Sequence, residues 1–298
     1  MQQWDPEIAV DPTLCRRLLE KQFPELADLP VRLLGSGWDN TVFAVGEEWV
    51  FRFPRKEIIA PFLETEIAVL PALAPLLPVP IPVPQHIGVP SDAFPWRFFG
   101  APMLPGVELS DAPAVSRERL APQLGALLRT LHGRDVLDEL GERLPENWTT
   151  RADMTARVPS TLEKLAAIDG LWHAPEHVRE LLDNALTLPQ PEPRAVCHGD
   201  LHFRHILVDG DRLSGLIDWI DLCRGDPALD LQVVWSVLPP EHRGAFFAAY
   251  GDVDDATLLR ARAVAFFLNA AIVEYSHHEG LGSLEREAVA SLERAASE

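Results

Sequence analysis

The sequence predicts an α+β protein, with a β-rich N-terminal lobe over residues 1–105 and a mainly helical C-terminal lobe over residues 106–298. Three observations predict it. Short β-branched and aromatic runs, separated by glycine turns, fill the first third of the chain. Beyond Pro105-Gly106 the apolar residues recur at a helical spacing. One compact stretch, Ala195 to Asp218, interrupts the helices with a strand–loop–strand–turn–strand pattern.

The elements follow in order. Val31 to Leu34 is an apolar run that ends in Gly35-Ser36-Gly37. Thr41 to Val45 is a strand closed by the turn Gly46-Glu47-Glu48. Trp49 to Phe53 alternates large apolar side chains with Val50 and Arg52, and Pro54 stops it. Ile58 to Leu73 reads as a helix with Glu64 and Glu66 in its middle. Pro78 to Pro84 alternates proline with valine and isoleucine, which makes an extended connector. Trp96 to Leu104 is a further strand, and the joint between the lobes falls at Met103 to Gly106. Helices are expected at Arg117 to His132, Thr155 to Ala167 and Pro175 to Leu188. The break Pro189 to Pro193 precedes the β insert, and three or four helices complete the chain.

Charge narrows the partners. Lys plus Arg number 26 against 45 Asp plus Glu, a net charge of −19 over 298 residues. Such a field repels nucleic acid and anionic membranes and favours a cationic small molecule. The longest apolar run, Ala68 to Pro84, holds 17 residues of which six are proline, so no spanning helix is expected there. Cys15, Cys197 and Cys223 are too few, and odd in number, for a disulfide framework. The start MQQWDPEIAVD has neither a basic nor an apolar leader region, so the expected location is the cytoplasm.

The densest polar cluster runs from Cys197 to His205, between the apolar runs Ala195-Val196 and Ile206 to Val208. Polar loops between buried strands are where sites are built. Ser214 to Ile217 then leads straight into Asp218-Trp219. A carboxylate at the end of an apolar strand is costly to bury without a charge or metal partner. Read blandly, Asp200 and Asp218 are turn or cap carboxylates. Four potential ligands in eight residues, His198, Asp200, His202 and His205, also allow a metallohydrolase site.

The series of motifs also carries a resemblance, and the metallohydrolase reading stays open beside it. Five residues separate Asp200 from His205 and thirteen separate His205 from Asp218, giving HGDLHFRH, then IDW, then GDPALD. This series resembles the catalytic segment of the aminoglycoside phosphotransferase and choline-kinase superfamily, which carries H-G-D-x-x-x-x-N, I-D-W and G-D-P-A-x-D. GWDNTVFAV, WVFRFP and ETEIAVLPAL add further likeness, so the resemblance runs from about residue 35 to residue 230, in family order. It implies the bilobal protein-kinase-like fold and transfer of a γ-phosphate to a hydroxyl of a small molecule. Asp200 matches the residue that orients the attacking hydroxyl. Asp218 matches the metal-binding aspartate, with Mg²⁺ as the expected ion. Gly35, Ser36, Gly37 and Asn40 would cover the nucleotide phosphates, with Arg52, Glu66, Met103 and Leu104 completing the nucleotide-binding set. Glu66 is placed to pair with Arg52, and the matching family histidine makes His198 a support of the loop.

Two departures matter. The family places Lys where this chain has Arg52, and Asn where it has His205. Arg keeps the charge and adds a two-pronged donor. Imidazole can ligate a metal, although Mg²⁺ prefers oxygen, so weaker second-metal binding or tolerance of Mn²⁺ is expected. H-G-D-L-x-x-x-H together with a front-strand Arg resembles the macrolide 2′-phosphotransferases, which favour GTP over ATP and modify the hydroxyl beside a dimethylamino group. The leading acceptor is therefore the 2′-hydroxyl of a macrolide, with an aminoglycoside or a choline- or sugar-like metabolite as alternatives. Asp221 and Glu274 are candidates for attracting an amine. A non-catalytic nucleotide-binding module is the third reading, and the retention of both Asp200 and Asp218 argues against it. Asp226, before Pro227, reads as a helix cap, and His277-His278-Glu279 as an exposed helix end.

Overall fold

The computed structural model describes residues 5–112, 115–147 and 149–298. The chain divides into two compact units, Met1–Pro75 with Pro80–Leu104, and Leu76–Val79 with Pro105–Glu298.

The first unit is a five-stranded sheet with two helices. Helix α1 (Pro12–Gln22) has proline in its first turn and Asp11 as N-cap, whose carboxylate accepts from Leu14 N at 2.7 Å. Strands β1 (Val31–Ser36), β2 (Asn40–Val45) and β3 (Trp49–Pro54) form consecutive hairpins. Helix α2 (Ala60–Leu73) follows, then β4 (His86–Gly88) and β5 (Phe98–Pro102). The sheet order is β1-β2-β3-β5-β4, with every pair antiparallel. Phe43, Phe51, Phe53, Phe94 and Phe98 pack with Leu18 and Leu19 of α1 into the core. The expected strands at 31–34, 41–45 and 49–53 are all present. Helix α1 and strand β4 lie in stretches that the apolar pattern left without an element.

The second unit is mainly helical. Strand β6 (Val107–Glu108) leads to α3 (Arg117–Leu131), α4 (Arg134–Leu140), α5 (Met154–Ala167) and α6 (Glu176–Ala185). Ser116 caps α3 and Asp153 caps α5, each accepting from a backbone N–H of the first turn. The β insert holds β7 (Ala195–Cys197), β8 (Ile206–Asp209) and β9 (Arg212–Leu216), followed by β10 (Cys223–Gly225). These form two small sheets, β6-β8-β9 and β10-β7. The chain then ends in α7 (Ala228–Leu231), α8 (Val233–Ser236), α9 (Pro240–Tyr250), α10 (Asp255–His278) and α11 (Gly282–Ala296). Five helices stand where three or four were expected, because α7 and α8 are single turns of four residues each.

Helix α10 and the segment Glu57–Leu76 are long and apolar enough to cross a membrane by length and composition alone. Two thirds of the most apolar window of α10 is buried inside the unit. It also carries buried Arg260, which donates to Ala152 O and Pro189 O, so it is a core helix. Glu57–Leu76 is less buried, but it carries Glu66 in a buried ion pair.

Candidate active site

In the first unit, the expected nucleotide-binding residues cluster on the β1–β2 hairpin, β3 and α2. Gly35 and Ser36 close β1 opposite Val42 and Thr41. Gly37 N donates to Asn40 O at 3.0 Å across the tip. A methyl group added at Gly35 would meet nothing within 4 Å, so the glycine is not demanded by packing and leaves its backbone open to close approach. Asn40 is buried, and its side-chain amide finds no hydrogen-bond partner among the described residues. Arg55, just past the strand-ending Pro54, donates through its guanidinium to Gly37 O and through its backbone N–H to Asp39 O. It therefore braces the hairpin tip, a role that no motif signalled.

Arg52 and Glu66 meet as the alternation of β3 required. Arg52 Nη1 lies 2.5 Å from Glu66 Oε1, and both side chains are buried. The guanidinium also lies over the Phe99 ring at 5.8 Å. Met103 N donates to Glu48 O at 2.7 Å, so its N–H is spent within the sheet, and Leu104 is the last residue of this unit.

In the second unit, the loop between β7 and β8 carries the other expected residues. His198 is fully buried against Trp219, their ring centroids 4.6 Å apart. Its Nε2 donates to Ile217 O at 2.9 Å, and its Nδ1 accepts from Asp200 N at 3.4 Å. Burial, then the neighbouring His205, push it down to about 4, so it is neutral and supports the loop. His202 accepts from Arg204 N through Nδ1, which leaves Nε2 as the donor, 3.8 Å from Asp200 Oδ2. Burial, with His205 second, holds it well below the ordinary histidine range.

Asp200 is one fifth exposed. Its Oδ1 forms an ion pair with Arg151 Nη1 at 2.9 Å, and that nitrogen donates its hydrogen bonds to Asp221 Oδ2 at 2.9 Å and Gly199 O at 2.8 Å. Burial raises Asp200 to about 7, with Arg151 opposing the rise and Asp221, Asp218 and Asp230 adding to it. Asp221 is thus buried against an arginine and is not an exposed attractor for an amine, which corrects the sequence expectation. Glu274, on α10, pairs with Lys164 at 2.8 Å.

His205 donates from Nδ1 to Asp200 O at 2.7 Å, which leaves the Nε2 lone pair facing Asp218 Oδ2 at 3.4 Å. Burial keeps this imidazole below its ordinary range, against the pull of Asp218, so two acceptors face one another. That arrangement fits a bound cation. Asp218, two residues past the end of β9, holds a left-handed φ of +63, a strained conformation for a non-glycine residue. Asp200, His202 and His205 offer ligand atoms within 4.8 Å of one another, whereas His198 is committed to the backbone and stands outside that group.

Buried Asp230 fixes the loop from below. Its Oδ2 accepts from His198 N at 2.8 Å and its Oδ1 from Gly199 N at 2.9 Å, while His132 Nε2 approaches Oδ2 at 3.1 Å. Asp226 Oδ1 accepts from Ala228 N at 2.9 Å, as its expected capping role requires. Gly199 has φ +86, and a Cβ there would lie 2.3 Å from Asp221 O. Gly199→Ala is therefore expected to cost about 1–2 kcal/mol in backbone strain alone, before the clash, and to lower the urea midpoint. An unchanged midpoint would show that the loop relaxes freely.

Residues 30–264 match the phosphotransferase enzyme family, APH. The chain belongs to this family. The viomycin phosphotransferase of Streptomyces vinaceus is 30% identical to it over 253 residues, 79% of this chain and 84% of that protein. Among solved structures, the GDP and kanamycin complex of APH(2″)-IIIa is 25% identical, with a TM-score of 0.67 over 94% of this chain and 97% of that one. Macrolide 2′-phosphotransferase MphH from Brachybacterium faecium, at 22% identity, has a TM-score of 0.58 over 93% and 97%. The fold of this phosphotransferase is protein-kinase-like, with a β-sheet N-terminal region and a helical C-terminal region. It is a small-molecule kinase, and the metallohydrolase reading finds no support among these relatives.

Proposed function

We propose that this phosphotransferase moves the γ-phosphate of GTP or ATP to a hydroxyl of an amine-bearing small molecule, with the 2′-hydroxyl of a macrolide as the leading acceptor. The observation that carries the reading is Asp200, with one carboxylate oxygen held by Arg151, on the same loop whose His205 faces Asp218. The second oxygen of Asp200 accepts the hydroxyl hydrogen bond and orients the nucleophile. His205 and Asp218 hold a divalent cation, Mg²⁺ first, with Mn²⁺ tolerated because one ligand is an imidazole nitrogen. When bound, that ion offsets the charge of the transferring phosphate. The hairpin tip at Gly35, Ser36, Gly37 and Asn40 covers the nucleotide phosphates, with the Gly37 N–H already given to Asn40 O, and Arg52, set by Glu66, adds a fixed positive charge. Met103 and Leu104 belong to the nucleotide-binding set, and the expected compartment is the cytoplasm.

The macrolide choice rests on the HGDLHFRH loop combined with Arg52. The viomycin phosphotransferase relative favours a second acceptor, viomycin itself. Both are amines that a chain of net charge −19 attracts. The test is turnover of purified protein with Mg²⁺ or Mn²⁺ and with GTP or ATP. Erythromycin, viomycin, kanamycin or no acceptor is supplied, and phosphate addition is read by mass spectrometry. A singly phosphorylated macrolide, formed faster with GTP, is the expected product. No product from any acceptor despite nucleotide binding would overturn the substrate class, and no nucleotide binding would overturn the whole reading.

A further inference from the structure

Arg151 stands 49 residues ahead of the catalytic loop and in none of the motifs, yet its guanidinium contacts both motif segments. The turn that carries it is firmly built. Arg224 N donates to Pro145 O and Asn147 N to Arg224 O, which lays the preceding segment along β10. Thr150 has a left-handed φ of +53, a strained conformation for a β-branched residue. Arg157 of α5 donates to the carbonyls of Thr149 and Thr150, and Arg260 of α10 to that of Ala152. Three of the carbonyls flanking Arg151 are thus tied to arginines from two helices. Such a turn fixes the backbone point from which Arg151 reaches the loop, and its hydrogen bonds to Gly199 O and Asp221 hold the side chain there.

One nitrogen of Arg151 donates its two hydrogens to Gly199 O and Asp221 Oδ2 and stands 2.9 Å from Asp200 Oδ1 in an ion pair. Gly199 and Asp200 belong to the loop between β7 and β8, and Asp221 to the segment that begins at Asp218. The last torsion of an aspartate is broad, so an unheld Asp200 carboxylate can swing away from the orientation in which an oxygen meets the acceptor hydroxyl. A cation fixed beside Oδ1 narrows that torsion. We propose that Arg151 is a positioning residue for phosphoryl transfer: it clamps Oδ1 of Asp200 so that Oδ2 meets the acceptor hydroxyl, and through Asp221 it binds the Asp218 segment to the same loop. This rests on the reading of Asp200 as the residue that orients the hydroxyl. The clamp's contacts lie on the Asp200 loop and on Asp221, three residues past Asp218, so the chemical step is expected to suffer more than nucleotide binding.

The test is a double-mutant cycle on the full chain, with GTP and whichever of erythromycin, viomycin or kanamycin the wild type phosphorylates. Arg151→Gln is expected to lower kcat on the order of 10²-fold, the scale of a misplaced catalytic group, with nucleotide KM held within about twofold. Arg151→Lys keeps the charge without the fork and is expected to recover part of the loss, and it serves in the cycle if the Gln variant does not fold. In an Asp200→Asn background the same substitution should change kcat by less than about threefold, since the group it positions is already gone. An equal loss in both backgrounds, or no loss in either, overturns the proposal and leaves the kinase reading standing. Absence of wild-type turnover with every acceptor, with nucleotide still bound, overturns the proposed acceptor class instead. The crystal structure of the Arg151 variant then decides the clamp: a carboxylate of Asp200 turned from its wild-type orientation supports it, and an unmoved one overturns it.

Discussion

Asp200→Asn is expected to lower kcat about 10²- to 10⁴-fold while leaving the affinity for GTP or ATP unchanged. The amide is the same shape as the carboxylate, and Arg151 keeps its hydrogen bonds to Gly199 O and Asp221 Oδ2, so the loop geometry survives. What is lost is the negative oxygen that draws the acceptor hydroxyl into line and receives its proton as the phosphate transfers. The same change should not weaken the fold. Burial and the carboxylates of Asp221, Asp218 and Asp230 raise Asp200 to about 7 despite Arg151, so above neutral pH its charge is held at a cost to the native state. A variant that is inactive yet at least as stable as the wild type, by urea denaturation, would carry the signature of a residue kept for function. Unchanged kcat would remove Asp200 from the mechanism. Lost nucleotide affinity would show that the substitution disturbed more than the acceptor side.

The parts of the site legible in the sequence are those with local spacing. Alternation along Trp49 to Phe53 put Arg52 on its own face, and Glu66 on the next helix met it. The five- and thirteen-residue intervals brought His205 to Asp200 and to Asp218, because a β-hairpin of that length returns Ile217 beside His205, whose carbonyl accepts from Ile217 N. Arg151 was not legible. It lies in an irregular stretch with no period, and its place depends on a strained turn held by arginines from distant helices. Asp221 was misread for the same reason: beside an aspartate-rich loop it looks like an exposed acid, and only the unseen partner reveals it as buried. Helix α1 had a readable signal in Asp11-Pro12, a cap followed by a first-turn proline, but its apolar face alone does not separate it from a surface loop.

Glu66→Ala is expected to cost about 3–5 kcal/mol of stability, because it removes the carboxylate 2.5 Å from the buried Arg52 guanidinium. Arg52 cannot turn to water from the middle of the sheet, flanked by Val42 and Phe99 on the neighbouring strands. The functional share of this loss can be separated from the structural one. Replacing both residues with apolar side chains, Arg52→Met with Glu66→Leu, removes the charge and the need to balance it together. Such replacements of a buried pair are commonly neutral or stabilising, so the double variant should regain most of the stability that Glu66→Ala loses. Nucleotide affinity, read by titration of a fluorescent GTP analogue, should not return with it, since the fixed cation is gone. That divergence between a restored denaturation midpoint and absent binding would mark Arg52 as a phosphate ligand oriented by Glu66. Binding that recovers along with stability would make the pair a folding device, and the phosphate contacts would then fall to the hairpin backbone and Arg55.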